Sequence, residues 1–176
     1  MDRTMPKSHF ACMSFMFTLR DVFSPRKHVL EGVGIKPGFH VLDYGCGPGS
    51  YIIPLTELVG KSGKVYALDI HPIAIKRVKN IISKNKLINV ETILSGNAAD
   101  VADESMDVIL FYDTFHLLSN KKRVLQELHR ALKPTGILSF SDHHMKKDEI
   151  LSELTSSGLF RLSGKGRKTY SFLKEA

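Results

Sequence analysis

Val41-Leu42-Asp43-Tyr44-Gly45-Cys46-Gly47-Pro48-Gly49-Ser50 is the stretch whose reading decides the fold. An apolar run leads into three glycines at alternate positions, and a helical pattern follows. Glycine permits a tight turn and lets the backbone approach a ligand closely. A helix starting just beyond would aim free N–H groups and a favourable dipole at a negative group. The spacing Gly45-x-Gly47-x-Gly49 departs from the dinucleotide pattern G-x-G-x-x-G, because Ser50 stands where the last glycine would be. It also lacks the Gly-Lys-Ser/Thr of a P-loop. Asp43 puts a carboxylate at the strand end. That is unfavourable beside a pyrophosphate and suits a ligand carrying an ammonium or sulfonium group.

Working outward, residues 64–70 read as a second strand that ends on Asp69, 20 positions beyond Gly49. An acid near that offset can accept hydrogen bonds from both ribose hydroxyls. Its structural alternative is a cap for the helix that His71-Pro72 opens. Further strands are expected at 90–94, 107–112 and 137–141, with helices at 50–59, 72–85, 121–132 and 146–157. Residues 160–163 and 169–173 read as a hairpin around Gly164-Lys165-Gly166. Strands alternating with helices imply an α/β fold: a three-layer αβα sandwich with a mostly parallel, Rossmann-like seven-stranded sheet and a C-terminal antiparallel hairpin. Such sheets bind ligands outside the carboxyl ends of their strands.

The motifs then resemble those of the class I S-adenosylmethionine (SAM)-dependent methyltransferases. Asp43-Tyr44-Gly45-Cys46-Gly47-Pro48-Gly49 is similar to that family's first motif. Val65-Tyr66-Ala67-Leu68-Asp69-Ile70 resembles the second, whose acid holds the ribose, and Ser95-Gly96-Asn97-Ala98 the third, whose polar residue faces the adenine. Asp107-Val108-Ile109-Leu110-Phe111 and Leu128-His129-Arg130-Ala131-Leu132-Lys133-Pro134-Thr135-Gly136-Ile137-Leu138 resemble the fourth strand and the helix–turn–strand after it. The likeness covers about residues 35–142 and is strongest to the small-molecule branch that includes ubiquinone-type and arsenite methyltransferases. It implies SAM as methyl donor, S-adenosylhomocysteine as product, and cofactor contacts from Asp43, Tyr44, Gly45, Cys46, Gly47, Gly49, Asp69, Ile70, Asn97, Ala98 and Phe111. Position 97 is often Asp in the family. Asn97 can still accept through its amide oxygen, without charge assistance.

The methyl group of SAM is already activated, so alignment and exclusion of water can supply much of the rate. A base is needed only where the acceptor is protonated. Tyr112, Asp113, His116, Asp142, His143 and His144 follow strands four and five. His143 is the favoured base and His116 the second, with local pairing as the structural reading of both. If these side chains converge they could form a base or a metal site. No ligand set with metal-site spacing is present, and Cys12 and Cys46 are too few for a disulfide framework or a closed zinc site.

The 176 residues suit one domain. Residues 1–34 are expected to be helical and packed on the core, with Phe10, Phe15, Met16, Phe17 and Phe23 either core or an aromatic lid. Residues 35–176 are expected to be the methyltransferase domain. No membrane span and no signal peptide is read, which points to the cytoplasm. The net charge of +7 arises in the first half, where 13 Lys/Arg face 6 Asp/Glu, without a dense block. Lys76, Arg77, Lys79, Lys84 and Lys86 recur at helical spacing as a solvated face. A small-molecule acceptor therefore leads. RNA or protein methylation is second, and a SAM-binding protein without turnover is third. An NAD-dependent oxidoreductase is the runner-up on fold alone. Phe111-Tyr112-Asp113-Thr114 is not the Asn/Asp-Pro-Pro-aromatic motif of DNA amino-methylating enzymes.

Overall fold

A computed structural model of the chain describes residues 26–96, 98 and 100–175. Asn97 and the aromatic segment before residue 26 lie outside the described residues. The elements in chain order are a one-turn α1 (Lys27–Leu30), β1 (His40–Tyr44), α2 (Ile52–Val59), β2 (Lys64–Asp69), α3 (Pro72–Asn85), β3 (Val90–Leu94) and β4 (Met106–Tyr112). A 3-10 turn (Phe115–Leu117), α4 (Lys121–Ala131), β5 (Leu132–Ser141), α5 (Lys147–Thr155), β6 (Phe160–Lys165) and β7 (Tyr170–Lys174) follow.

The strands form one seven-stranded sheet in the order β3-β2-β1-β4-β5-β7-β6. Strands β1 to β5 run parallel, and β7 pairs antiparallel with both β5 and β6. Strand order reverses between β1 and β4, the crevice where doubly wound sheets take their ligands. Alternation along the strands divides the core into two layers. Leu42, Tyr44, Ile109, Phe111 and Phe140 face α4 and α5 through Leu125, Leu128, Ile150 and Leu154. Val41, Val65, Ala67, Val108 and Leu110 face α2 and α3 through Ile52, Leu55, Ile75 and Val78. Leu30 and Val33 join that second layer. Asp43 and Asp69 have the parity of the second layer, and the Asp43–Ala67 pairing of β1 with β2 brings the two strand ends together.

Two local expectations need correcting. Lys133-Pro134-Thr135-Gly136 does not separate α4 from β5. The strand begins at Leu132, which pairs with Met106, and the next pair is Val108 with Ile137, so the Pro-Gly segment is an excursion inside the strand. The hairpin turn also lies later than the Gly-Lys-Gly signal. The register shifts between Leu162 and Gly164, and the turn closes where the Gly166 amide donates to the Thr169 carbonyl at 2.8 Å. Gly164 relieves an irregular strand instead of making the turn. The basic residues Lys76, Lys79, Lys84 and Lys86 are exposed on or just after α3, as a solvated face requires.

Candidate functional site

The glycine loop owes its path to three residues in the left-handed region: Gly45 (φ +80°), Gly47 (φ +52°) and Gly49 (φ +88°). A Cβ on Gly45 would collide with the Thr114 side chain, and one on Gly49 would lie 2.8 Å from Ile81 Cδ1. The loop is therefore pressed against both the exit of β4 and the body of α3 around Val78 and Ile81. Asp69 ties it down. Its Oδ2 accepts the Gly47 amide at 2.9 Å and its Oδ1 accepts the His71 amide at 2.7 Å. The N-cap of α3 is His71, whose Nδ1 accepts from the Ile73 amide at 3.1 Å. The alternative reading of Asp69 as helix cap is thus one residue-pair removed from the geometry: Asp69 braces the capping residue. Each oxygen keeps a further lone pair for a ligand.

Asp43 is the exceptional group. Its carboxyl is buried, and among the described residues Oδ2 has no hydrogen-bond partner. Burial, with the Asp69 charge adding to it, pushes its pKa up to about 7. A buried acid that lacks a partner is costly unless something completes it. A cationic ligand at the loop would do so. Burial also raises the Asp69 carboxyl, against the two backbone amides that lower it. Burial and the same two acids hold the Cys46 thiol protonated, so Cys46 is a packing residue of the loop and no nucleophile.

The remaining expected cofactor residues divide. Ile70 is half-buried at the end of β2, beside Asp69. Ala98 is fully buried in the core layer with Tyr44. The Tyr44 hydroxyl donates to the Gly96 carbonyl at 2.9 Å, which links the glycine loop to the loop after β3. Phe111, expected among the cofactor contacts, lies in the same core layer as Tyr44 and Ala98. Its ring is wholly enclosed, edge-on to Tyr44, Phe115 and Phe140 at 5.1 to 5.7 Å. Strand alternation sends it to the face away from Asp43. One contributor went unseen in the sequence. Arg130 on α4 pairs with Asp103 and donates from Nη2 to the carbonyls of Ala98 and Val101 at 2.9 and 2.8 Å. It clamps the loop in which Asn97 lies.

The side chains after β4 and β5 do converge. Asp142 is buried and accepts from the His116 amide at 3.1 Å, with His116 Nδ1 2.8 Å from the same oxygen. Its other oxygen accepts the His144 amide at 3.0 Å. Burial would raise the Asp142 carboxyl, but the His116 and His144 hydrogen bonds outweigh it and hold the group below the usual carboxylate range. His143 pairs instead with Asp113, Nδ1 to Oδ1 at 2.8 Å. The His143 and His116 rings lie 6.3 Å apart, with His144 4.1 Å from one and 3.9 Å from the other. The His143 side chain is 64% exposed and His116 only 24%. The better-held imidazole is therefore His116.

A family profile described as a methyltransferase domain matches residues 35–174. The chain belongs to the methyltransferase-domain family. The demethylmenaquinone methyltransferase of Geobacillus stearothermophilus is 31% identical over 132 residues, covering 74% of this chain and 56% of that protein. The arsenite methyltransferase of Halobacterium salinarum is 35% identical over 109 residues, 61% of this chain and 28% of its own. The chain thus spans about half the length of the first of these, and less of the second. A solved SAM-dependent methyltransferase from Aquifex aeolicus superposes with a TM-score of 0.77 at 26% identity, covering 92% of this chain and 97% of that one. Within the methyltransferase domain, the glycine loop, Asp43 and Asp69 fit SAM on this structure's own terms. A Cβ at Gly45 or Gly49 would meet Thr114 or Ile81, the Asp43 oxygen without a partner among the described residues calls for a cation, and Asp69 offers lone pairs beside them. Among the described residues no helix is long and apolar enough to cross a membrane.

Proposed function

We propose that the chain is a cytoplasmic enzyme that transfers the sulfonium methyl of SAM to a small-molecule acceptor held at the rim of His116, Asp142, His143 and Asp113. The observation that carries this reading is the buried, unpartnered Asp43 oxygen beside a loop braced by Asp69. A dinucleotide would bring negative charge to that place, whereas SAM brings an ammonium and a sulfonium. SAM supplies an activated methyl group. The chain's own residues supply the rest. Asp43 would balance the positive end, Asp69 would hold the ribose, and Asn97 would face the adenine.

Where the acceptor carries a proton, His116 is the residue to take it. Asp142 orients its ring through Nδ1, which leaves Nε2 as the accepting nitrogen in that tautomer. His143 is the second imidazole, more exposed and held by Asp113. The small-molecule reading rests on relatives whose names specify menaquinone precursors and arsenite. A macromolecular acceptor is the second reading, favoured only by the net charge of +7. The test is transfer of methyl-labelled SAM to fractions of a cell extract. Label entering the low-molecular-weight fraction is expected. Label confined to RNA or protein would overturn the acceptor class.

A further inference from the structure

The rim cluster holds more chemistry than one proton acceptor requires. Asp113, Asp142 and His143 each offer a ligand atom, and the three atoms lie within 4.8 Å of one another. Around an ion with bonds of about 2.1 Å, neighbouring ligand atoms stand about 3.0 to 3.4 Å apart. His143 Nδ1 and Asp113 Oδ1, now 2.8 Å apart, would open by a few tenths of an ångström around an ion while the wider spacings, up to 4.8 Å, close, a shift that the exposed His143 side chain can make. The carboxylates are held in advance. Asp142 is fixed by three hydrogen bonds from His116 and His144. Asp113 is held by its amide, which donates to the Ser141 carbonyl at 2.8 Å, and by a left-handed backbone (φ +49°) that aspartate tolerates better than most residues.

We propose that Asp113, Asp142 and His143 bind one divalent transition-metal ion of the zinc class. Two ordinary ion pairs would account for His116–Asp142 and for His143–Asp113 separately. They do not account for both pairs meeting at the carboxyl edge of neighbouring strands, where this fold presents its ligands. A mixed imidazole and carboxylate set favours a transition metal over magnesium or calcium, which take oxygen alone. Two carboxylates neutralise a doubly charged ion. Three protein ligands leave positions open, as in sites where a metal takes a substrate atom. His116 hydrogen-bonds a ligating carboxylate, the outer-shell arrangement that orients metal ligands. The role of the open positions, taking a lone-pair atom of the methyl acceptor, rests on the methyltransferase reading; the binding of the ion does not.

The experiment uses the full chain without an affinity tag, stripped with a chelator and dialysed. Zinc is titrated by calorimetry and cobalt by its visible absorption. One ion per chain is expected, with the Asp113→Asn/His143→Ala double variant weakened at least about 10-fold. His28→Ala, which removes a surface histidine paired with Glu31, should leave uptake unchanged. The melting temperature of the metal-free variant reports whether it folds, and His143→Gln serves if the double variant does not. Absence of zinc and cobalt uptake, or uptake insensitive to these rim substitutions, overturns the site. S-adenosylhomocysteine is titrated into the same metal-free sample. Its binding without metal uptake sinks the metal site alone, and metal uptake without its binding sinks the methyltransferase reading alone.

Discussion

The Asp69 carboxylate accepts the Gly47 amide at 2.9 Å, joining the end of β2 to the middle of the glycine loop. One side chain thereby shapes the loop, and in the proposed function it also holds the ribose. Asp69→Ala should weaken S-adenosylhomocysteine binding by about 2–3 kcal/mol, the scale for charge-assisted hydrogen bonds. Asp69→Asn keeps one acceptor oxygen for two backbone amides and should fall between Ala and wild type. Calorimetry on the three chains checks the order. Equal affinities would show that the ribose is held elsewhere.

With Asp43 as the proposed partner of the SAM ammonium, both stability and cofactor affinity should depend on pH. Its folded pKa is raised to about 7, while an unfolded aspartate titrates near about 3.9. Between those values the folded chain binds the extra proton, so stability falls as pH rises from about 4 to about 7, by at most about 4 kcal/mol. Asp43→Asn should therefore raise the melting temperature most at pH 8, by about a third as much at pH 5, and little at pH 3. S-adenosylhomocysteine needs the ionised acid, so its affinity for the wild type should drop about 10-fold or more from pH 8 to pH 5.5. In Asp43→Asn the affinity should be low and flat with pH. A wild-type affinity independent of pH would remove Asp43 from the cation site.

Much of this was legible in the sequence, for local reasons. The strand at 90–94 and the helix at 72–85 were expected with the bounds the structure gives, because alternation, Pro72 and a terminal polar run act within a few residues. The start of β5 was not legible, since Pro134 and Gly136 signal a break and only the long-range pairing of Leu132 with Met106 reveals the strand. The glycine loop and its acids were readable because their spacing along the chain is their spacing in the fold. The His116–Asp142 pair was not readable, since it joins two loops 26 residues apart and depends on how two side chains turn. The favoured histidine shifts for that reason from His143 to His116.

Arg130 illustrates the same limit and gives a further expectation. It satisfies the carbonyls of Ala98 and Val101, both residues buried, across about 30 positions of sequence. Arg130→Met keeps the apolar stem and removes the donors. The Ala98 carbonyl keeps the Val101 amide at 2.9 Å, so the Val101 carbonyl is the one left unpaired, at about 1–3 kcal/mol. The melting temperature should fall by several degrees and S-adenosylhomocysteine affinity by about 10-fold, because the loop that carries Asn97 is released. Arg130→Lys, whose single nitrogen cannot serve the carbonyls and Asp103 together as Nη2 and Nη1 do, should recover only part of either. A variant with wild-type affinity would show that the loop is held without the clamp.

The rim separates the two histidines kinetically. With an acceptor identified from the extract, and for an acceptor that must lose a proton, His116→Ala should lower turnover about 100-fold at unchanged S-adenosylhomocysteine affinity. Asp142→Asn should lower it less and displace the pH profile, since Asp142 acts by positioning the ring. His143→Ala should have the smaller effect of the two alanine variants. The reverse order would restore His143 as the principal base.

The Asp43 carboxylate calls for a cationic ligand, and SAM and NAD differ in whether they supply one there. Isothermal titration of the folded chain at pH 8 with S-adenosylhomocysteine, and separately with NAD, measures the difference directly. The prediction is one S-adenosylhomocysteine bound per chain, no heat with NAD, and loss of the S-adenosylhomocysteine signal in Asp43→Asn. Binding of NAD with no response to S-adenosylhomocysteine would contradict it.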